Sequence, residues 1–278
     1  MAQWNKNIQD YLNDGRTLFE VFICADQFGN IGACGGNTQF ELNVSAGIMT
    51  EMANVHKFGA VRSTSATYDT VWTEAGAYEF PEDAGTITVV STSAQDKSVG
   101  TGASSIVVQG LDANYDEVEE TILLNGTDSV SGSVNFLRTH RAFVDYGNTN
   151  AGNITISIGS TVTCAIAEDM GQSQVAFYTV PAGKSAFLKQ FTATQNKNQE
   201  NAVRMFKREN EDSAVKPFRL VTELNLYGSN FIKPYSYPVF FTEKTDIEVR
   251  AYTGSNCTVS TTFDILVADS ASIGIGTT

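Results

Sequence analysis

The stretch GTITVVSTSAQDKSVGTGASSIVVQGLDANYDEVEETILLNGT, residues 85–127, decides the fold class. Within its short segments, apolar residues alternate with polar ones, which is the period of a strand that buries one face. Gly, Asn and Asp separate the segments, as turns require. Similar segments continue toward the end of the chain, among them NITISI, TVTCAIA, AFLKQFTAT, TDIEVRAYT and TVSTTFDILVAD. The sequence therefore predicts a mainly β protein with antiparallel β-sandwich or jelly-roll-like regions.

The first eighty residues have a different pattern, which predicts a small α+β module. A short helix is expected at 8–12, because an Asn-Asp-Gly terminator follows it. Apolar-rich segments at 17–23 and 38–44 predict two strands of a hairpin with a long, Gly-rich loop. Three apolar residues at helical spacing predict a second short helix at 47–56.

These patterns divide the chain into three predicted regions. The N-terminal module spans 1–80, a β-sandwich spans 81–170, and further strands fill 171–278. The last region is either a second sandwich or the second sheet of one large β domain, and the sequence leaves both alternatives open. Val180 to Lys184 near its start predicts a type II turn, with Pro181 at the second position and a nearby residue at positive φ.

Composition and charge narrow the classes of partner. The 278 residues include 31 acidic and 18 basic ones, a net charge of −13. A phosphate backbone would be repelled by this charge, so we expect no direct nucleic-acid partner. The first fifteen residues lack the pattern of a secretory signal, and the chain has no run of about eighteen apolar residues. We expect neither classical secretion nor a membrane partner.

The four cysteines are spaced without a C-x-x-C pair, and no zinc-site spacing is present. Cys164 and Cys257 lie in alternating apolar segments, which predicts buried free thiols. Cys24 and Cys34 could bridge the N-terminal hairpin, although assembly in a reducing cytosol would disfavour a disulfide.

Candidate catalytic groups occur singly. His56 and His140 could each act as a general base, but neither has a flanking nucleophile motif such as G-x-S-x-G, and a structural or solvent-facing role is favoured. Glu119 and Glu120 must point to opposite faces of a strand, so they cannot serve together as a glycosidase pair. We therefore predict no catalytic residue and a non-enzymatic protein.

Binding motifs are incomplete in the same way. Residues 183–185 (Gly-Lys-Ser) end like a phosphate-binding loop, but Tyr178 stands where that loop needs its first glycine. A calcium-like loop begins at Asp112, but the positions that an EF-hand requires as Gly and Glu hold Glu117 and Leu123. An Asx-rich hairpin turn is favoured there, with a looser turn-bound cation as the alternative. No cofactor and no metal site is predicted.

The densest aromatic cluster is YSYPVFF, residues 235–241. A sugar-stacking platform is one interpretation of such a cluster, and a sandwich core or a subunit interface is the favoured one.

Four segments together resemble a family of virion structural, head-associated proteins of marine and other environmental tailed phages. They are VHKFGAVRSTSATYDTVWTEAGAYEFP, GTITVVSTSAQDKSVGTGASSIVVQGLDANYDEVEETILLNGT, NAGNITISI and QVAFYTVPAGKSAFL, and the resemblance covers roughly residues 50–195. The most specific parts are GTGASSIVVQGLDANYDEVEETILLNGT and YTVPAGKSAFL. It implies a virion component without enzymatic activity and carries over no active-site residue.

The resemblance and the missing motifs favour a capsid decoration or cement protein located in the virion and assembled in the host cytoplasm. The expected partners are further copies of the chain and other virion proteins, above all the major capsid protein. A neck, tail or fibre-base attachment component is the alternative, and a polysaccharide-binding or depolymerase module is a more distant one.

Overall fold

The computed structural model describes residues 23–25, 31–33, 38–63, 67–74, 76–210, 216–228, 230–253 and 257–274. The chain divides into two compact units, Met1–Thr50 and Glu51–Thr278. In the first unit, β1 (Ile23–Ala25) pairs antiparallel with β2 (Ile31–Ala33), and α1 (Thr38–Ser45) follows. Among the described residues, no helix has both the length and the apolar character needed to cross a membrane.

The described part of the second unit consists of strands joined by turns and loops. In chain order they are β3 (Met52–Ser63), β4 (Tyr68–Thr70), β5 (Gly85–Ser91), β6 (Ala103–Leu111), β7 (Glu117–Leu123), β8 (Val130–Phe136), β9 (Arg138–Gly147), β10 (Ile154–Ile158), β11 (Thr161–Ile166), β12 (Phe177–Thr179), β13 (Lys184–Gln195), β14 (Asn201–Glu209), β15 (Arg219–Leu226), β16 (Asn230–Phe241), β17 (Thr245–Thr253) and β18 (Cys257–Asp269). The predicted mainly β, antiparallel fold is confirmed.

Strands β5 to β11 form one sandwich. Its two sheets have the orders β11-β10-β5-β8 and β7-β6-β9, and all their ladders are antiparallel. Ile87 and Ile154 from one sheet and Ile106 from the other are fully buried in a shared core. We call this body the acidic sandwich, because residues 81–170 contain three basic and twelve acidic residues, a net charge of −9.

The second body, which we call the C-terminal sandwich, has its own core. One sheet has the order β16-β13-β18-β3, and the other has the order β12-β17-β14-β15 with β4 paired to β17. Phe191 and Phe263 of the first sheet pack with Met205 and Val249 of the second, all without solvent exposure. Strands β3 and β4 therefore belong to this sandwich, although they precede the acidic sandwich in the sequence.

Two predicted elements near the N-terminus are wrong. The segment 38–44, predicted as a strand, is the helix α1, in which Leu42 is exposed and Val44 is buried. The segment 47–56, predicted as a helix, contains the start of the strand β3, which pairs with β18 along its whole length. The predicted helix at 8–12 and most of the predicted strand at 17–23 lie outside the described residues, and so does Cys34 of the possible disulfide.

Two predicted turns are present. Gly183 has a φ of 70°, and the N–H of Lys184 donates to the carbonyl of Pro181 at 3.3 Å. The sequence predicted Pro181 at the second position of the turn. This hydrogen bond instead makes Pro181 the first residue of the turn and Lys184 the fourth. At the β6–β7 hairpin, the carboxylate of Asp112 accepts the N–H groups of Asn114 and Asp116 at 2.8 and 3.0 Å, which is an Asx turn.

Asp96 organises the loops of the acidic sandwich. It is fully buried, and one carboxylate oxygen accepts the N–H groups of Ala103 and Ala151 at 2.9 and 2.8 Å. The other oxygen accepts the hydroxyl of Ser91 at 2.6 Å and the N–H of Gly152 at 3.1 Å. A buried carboxylate with four donors is well satisfied, so this residue is structural.

A buried ionic cluster joins the two sandwiches. Arg138 of β9 donates from Nε and Nη2 to the two carboxylate oxygens of Asp246 of β17, at 3.1 and 3.2 Å. Arg208 of β14 donates to the same carboxylate at 3.1 and 2.7 Å, and the hydroxyl of Thr179 donates at 2.6 Å. Burial alone would raise the pKa of Asp246, but the two arginines lower it below its usual value.

The predicted free thiols are confirmed for two cysteines. Cys164 and Cys257 are both buried and free. Burial is the largest influence on Cys164 and raises the pKa of its thiol, so this side chain behaves as a small apolar group.

Candidate functional site

A cleft of about 740 Å³ lies where the strand β3 of the C-terminal sandwich faces the sheet β7-β6-β9 of the acidic sandwich. Its lining includes His56 and Phe58 from β3, Gln109 from β6, Glu119 from β7, and Arg141 from β9. A volume of this size is typical of small-molecule sites, which occur often at the junction of two bodies.

The floor of the cleft contains two buried basic groups. Lys57 donates a hydrogen bond from its ammonium group to the backbone carbonyl of His140. Burial lowers the pKa of Lys57 to about 8, and nearby Arg141 adds to this effect. His140 packs on Tyr178, with ring centroids 4.6 Å apart, and its Nε2 accepts the N–H of Thr179 at 3.3 Å. Burial also holds the pKa of His140 well below its usual range, so the imidazole is neutral at pH 7.

The rim of the cleft is polar and partly exposed. Nδ1 of His56 lies 2.5 Å from the carboxylate of Asp264 on the neighbouring strand β18. Across the cleft, the side-chain amide of Gln109 donates to Glu119 at 2.7 Å, and Arg141 donates to Gln172 at 3.4 Å. These contacts hold amide, carboxylate and guanidinium groups at the surface of the cleft.

His56 and His140, which the sequence presented as isolated candidates, therefore line the same cleft. The contact between Lys57 and His140 at the floor joins residues that are 83 positions apart in the sequence. The geometry of His140 does not suit general-base catalysis. His140 uses its Nε2 lone pair to accept a backbone N–H, whereas His56 contacts Asp264 through Nδ1, a contact that does not involve its other ring nitrogen. A general base needs a free lone pair within reach of the proton that it removes.

The acidic residues of β7 are divided between its two faces, as the alternation predicts. Glu117 and Glu119 line the cleft. Glu120 points to the other side, where its carboxylate accepts the N–H and the hydroxyl of Ser133 at 2.6 and 2.7 Å and the N–H of Val134 at 3.2 Å. Glu120 thus ties β7 to β8, while Glu117 and Glu119 lie on the side of the strand that lines the cleft.

Sequence reasoning missed Lys57 and the backbone feature that shapes the cleft. Gly110 lies at a shift in the β6–β9 register, and a Cβ atom there would stand 1.8 Å from the carbonyl oxygen of Arg138. A single glycine inside the strand SSIVVQGL was the available signal, since such a glycine indicates a bulge or a close backbone approach.

A second feature is an exposed apolar surface on the edge strand β16. Tyr237 is 92% exposed, Ile232 57%, Phe231 44% and Phe240 38%. We call these four residues the β16 surface; the pairing with β13 puts Phe231 opposite the core residue Ala193 and puts Ile232 and Phe240 on the other face of the sheet. Phe240 also packs on Phe187 of β13, with ring centroids 5.4 Å apart. The aromatic cluster at 235–241 is thus only partly core: Phe241 is buried, whereas Tyr237 and Phe240 face outward.

The other candidate motifs lie elsewhere. Residues 183–185 form a turn and the start of β13, and Asp112 belongs to the β6–β7 hairpin. Within the described residues, no group of three or more His, Cys, Asp or Glu side chains is arranged to hold a metal ion.

Comparison with known proteins identifies no family. No protein-family model matches the chain, and no curated protein matches it. Among solved structures, the chain is similar to infectious bursal disease virus of the Gt strain, at 9% identity over 79% of this chain and 72% of that chain, with a TM-score of 0.24. The chain is also similar to the VP2 subviral particle of infectious bursal disease virus, at 9% identity over 81% of this chain and 74% of that chain, with a TM-score of 0.20.

The tandem CBM22 domains of Xyn10C from Paenibacillus barcinonensis are also similar, at 8% identity over 79% of this chain and 94% of that chain, with a TM-score of 0.22. Similarities of this size do not identify a function.

Proposed function

We propose that this chain is a non-enzymatic structural protein of a tailed-phage virion, and that it acts as a capsid decoration protein. The observation that carries the proposal is the β16 surface. Four large apolar side chains are exposed on one edge strand, Ile232 and Phe240 on the face that points away from the core, and exposed apolar side chains of this kind are found at protein–protein contacts. The resemblance of residues 50–195 to virion structural proteins supports the same function.

The charge distribution also fits a decoration protein. The acidic sandwich has a net charge of −9, whereas the rest of the second unit has thirteen basic and fourteen acidic residues, a net charge of −1. An acidic body repels DNA and the acidic sandwiches of neighbouring copies, which keeps it in solvent or against a basic protein surface. The proposal therefore includes the major capsid protein as partner and excludes direct binding to the packaged nucleic acid or to a membrane.

The test is a binding experiment with purified particles that lack the chain. Purified chain is added, unbound protein is removed by density-gradient centrifugation, and the bound copies are counted. We expect saturable binding to the capsid shell. Binding confined to the neck or tail, at about a dozen copies or fewer, would favour the attachment alternative, and no binding would contradict a structural role.

A second candidate function is recognition of a neutral glycan in the cleft. Its lining includes two acidic residues, Glu117 and Glu119, and two basic residues, Lys57 and Arg141. The numbers of acidic and basic side chains are therefore equal. Amide, carboxylate and guanidinium groups beside the Phe58 ring are suited to sugar hydroxyls and to an apolar sugar face. Binding of neutral oligosaccharides by the native chain, lost in Arg141→Ala, would support this function. Equal binding by both proteins would contradict it.

A further inference from the structure

We propose that the open edge of β3 in the cleft binds an extended peptide segment of another protein, which adds to the sheet β16-β13-β18-β3 as a further strand. This inference goes beyond the capsid-decoration proposal, and it gives the cleft a ligand different from the neutral glycan of the second candidate function. In that sheet order, β3 pairs with β18 on one side and forms the edge of the sheet on the other. Residues 54–58 of this edge line the cleft.

The hydrogen-bond pattern shows which backbone groups of β3 face the cleft. The N–H of Asp269 donates to the carbonyl of Glu51 at 2.9 Å, so these opposite residues form a hydrogen-bonded pair. Hydrogen-bonded and non-hydrogen-bonded pairs alternate along an antiparallel ladder. The β3–β18 register has no shift, so the N–H and C=O groups of residues 54, 56 and 58 point away from β18. Among the described residues, no backbone group on the cleft side bonds to them.

The opposite edge of the same sheet is protected against strand addition, whereas this edge is not. In β16, Pro234 and Pro238 have no N–H to donate, and residues 235–238 leave the ladder with β13. Prolines and irregularities of this kind protect an edge strand. The segment 52–58 of β3 is MANVHKF, which has no proline and no shift in register. Its six residue steps span about 20 Å, the length of an ordinary strand.

The wall that faces β3 offers both donors and acceptors to a bound backbone. In the register of the sheet β7-β6-β9, Glu119, Gln109 and Arg141 stand side by side, and all three line the cleft. A carboxylate accepts a backbone N–H, a guanidinium donates to a carbonyl, and an amide does either. A strand added to β3 turns its second edge toward this wall, so its outward N–H and C=O groups have partners within the cleft.

Charge defines the kind of segment that fits. Glu117 and Glu119 line the cleft and are exposed, and they belong to a sandwich with a net charge of −9. Arg141 does not neutralise them, because it lies two strands away from Glu119 and over the ring of Phe143, 4.6 Å from its centroid. We therefore expect a segment with at least one Lys or Arg and without Pro. A second copy of this chain, with a net charge of −13, is disfavoured by repulsion, so the occupant belongs to another protein.

Selection from an mRNA-displayed library of random peptides of about ten residues, with the full chain as bait, tests this proposal. We expect the selected peptides to be enriched in Lys or Arg and depleted of Pro, and fluorescence polarisation gives the Kd of the strongest one. His56→Pro removes an N–H that faces the cleft without removing a bond to β18, and it should raise this Kd at least ~10-fold. The matched control is His56→Ala, which keeps the N–H and should change the Kd less than ~2-fold.

Melting curves check that each variant is folded. If His56→Pro is not, the peptide is N-methylated on alternate amides instead, and one of the two alternations should raise the Kd for the native chain by the same factor. The proposal is overturned if no peptide is selected, if neither change weakens binding, or if His56→Ala loses as much affinity as His56→Pro.

Two further outcomes separate this inference from the proposed functions. Neutral oligosaccharides that bind the chain and that no selected peptide displaces would assign the cleft to a glycan and contradict the peptide site. Capsid binding that persists when the peptide site fails would keep the decoration role, whereas a chain that binds the peptide but no particle would keep the peptide site alone.

Discussion

Replacing Asp246 with Asn tests whether the buried ionic cluster holds the two sandwiches together. Asp246 is fully buried, the side chain of Arg138 is 5% exposed, and that of Arg208 is 17% exposed. The substitution keeps the shape of the side chain but leaves two guanidinium groups without their anion. Breaking a buried pair in this way costs about 3–5 kcal/mol, a large share of the roughly 5–15 kcal/mol that stabilises a folded protein.

Urea unfolding followed by circular dichroism measures this loss. A protein of this size should also melt about 6–20 °C lower, at roughly 2–4 °C per kcal/mol. The control is Asp269→Asn, whose partner is Lys184. Both side chains of that pair are about one-third exposed, so the loss should be at most about 1 kcal/mol. If Asp246→Asn lost no more than this control, the cluster would not be the link that the structure indicates.

The same substitution has a pH signature. The arginines lower the pKa of Asp246 in the folded protein, so its contribution is complete above the unfolded value of about 3.9. It is lost as the pH falls through the folded pKa. The difference in unfolding free energy between the native chain and Asp246→Asn should therefore shrink in acid. A difference that stayed constant from pH 7 down to about pH 2 would contradict the assignment.

Four further predictions follow from individual residues. Asp96→Ala should lower the free energy of unfolding by at least about 3 kcal/mol, because it leaves three backbone N–H groups and a hydroxyl without an acceptor; a loss under ~1 kcal/mol in urea unfolding would refute this. Gly183→Val should cost about 1–3 kcal/mol by forcing a β-branched residue to a φ of 70°, more than His56→Ala, and thermal melting compares the two. The pKa of Lys57 is about 8 in the folded protein and 10.5 without the effect of burial, so the unfolded chain holds this proton more tightly. The unfolding free energy should therefore rise by about 1.5 kcal/mol from pH 8 to 9.5, and Lys57→Met should lack this rise. His56→Ala should leave particle assembly and infectivity nearly unchanged, and a variant with native stability and normal incorporation but abolished infectivity would contradict the purely structural interpretation.

The strands after residue 85 could be predicted because their alternation coincides with burial. In β10 the pattern Ile154, Ile156, Ile158 is buried, and the intervening residues are half-buried. In β3 the alternation is present, but its inward positions include Lys57 and Gly59. A buried lysine and a glycine carry no apolar signal, and the few apolar residues that remained had helical spacing.

The helix α1 was missed for the opposite reason. Phe40 and Leu42 alternate with polar residues, but they are exposed, so the alternation does not report a buried face. Thr38 and Glu41 have the spacing of a capping box, and Glu41 lies in the first turn, where an acidic residue favours a helix. That local signal was available in the sequence and was outweighed by a three-residue alternation.

The cleft and the ionic cluster could not be predicted, because both join residues distant in sequence. Arg138 and Asp246 are 108 residues apart, and His56 and Asp264 are 208 apart. The relative placement of the two sandwiches brings Arg138 to Asp246, and the pairing of β3 with β18 brings His56 to Asp264. No local sequence pattern encodes either arrangement. The β16 surface is intermediate: its aromatic cluster was visible in the sequence, but whether it faced a core or a partner was not.

The most direct test of the structural role is quantitative mass spectrometry of gradient-purified phage particles that carry this chain. We expect the intact chain to remain with the particles after detergent treatment, at a copy number that is a simple multiple of the capsid symmetry and on the order of hundreds. A chain that is abundant in the lysate but missing from the particles would contradict it.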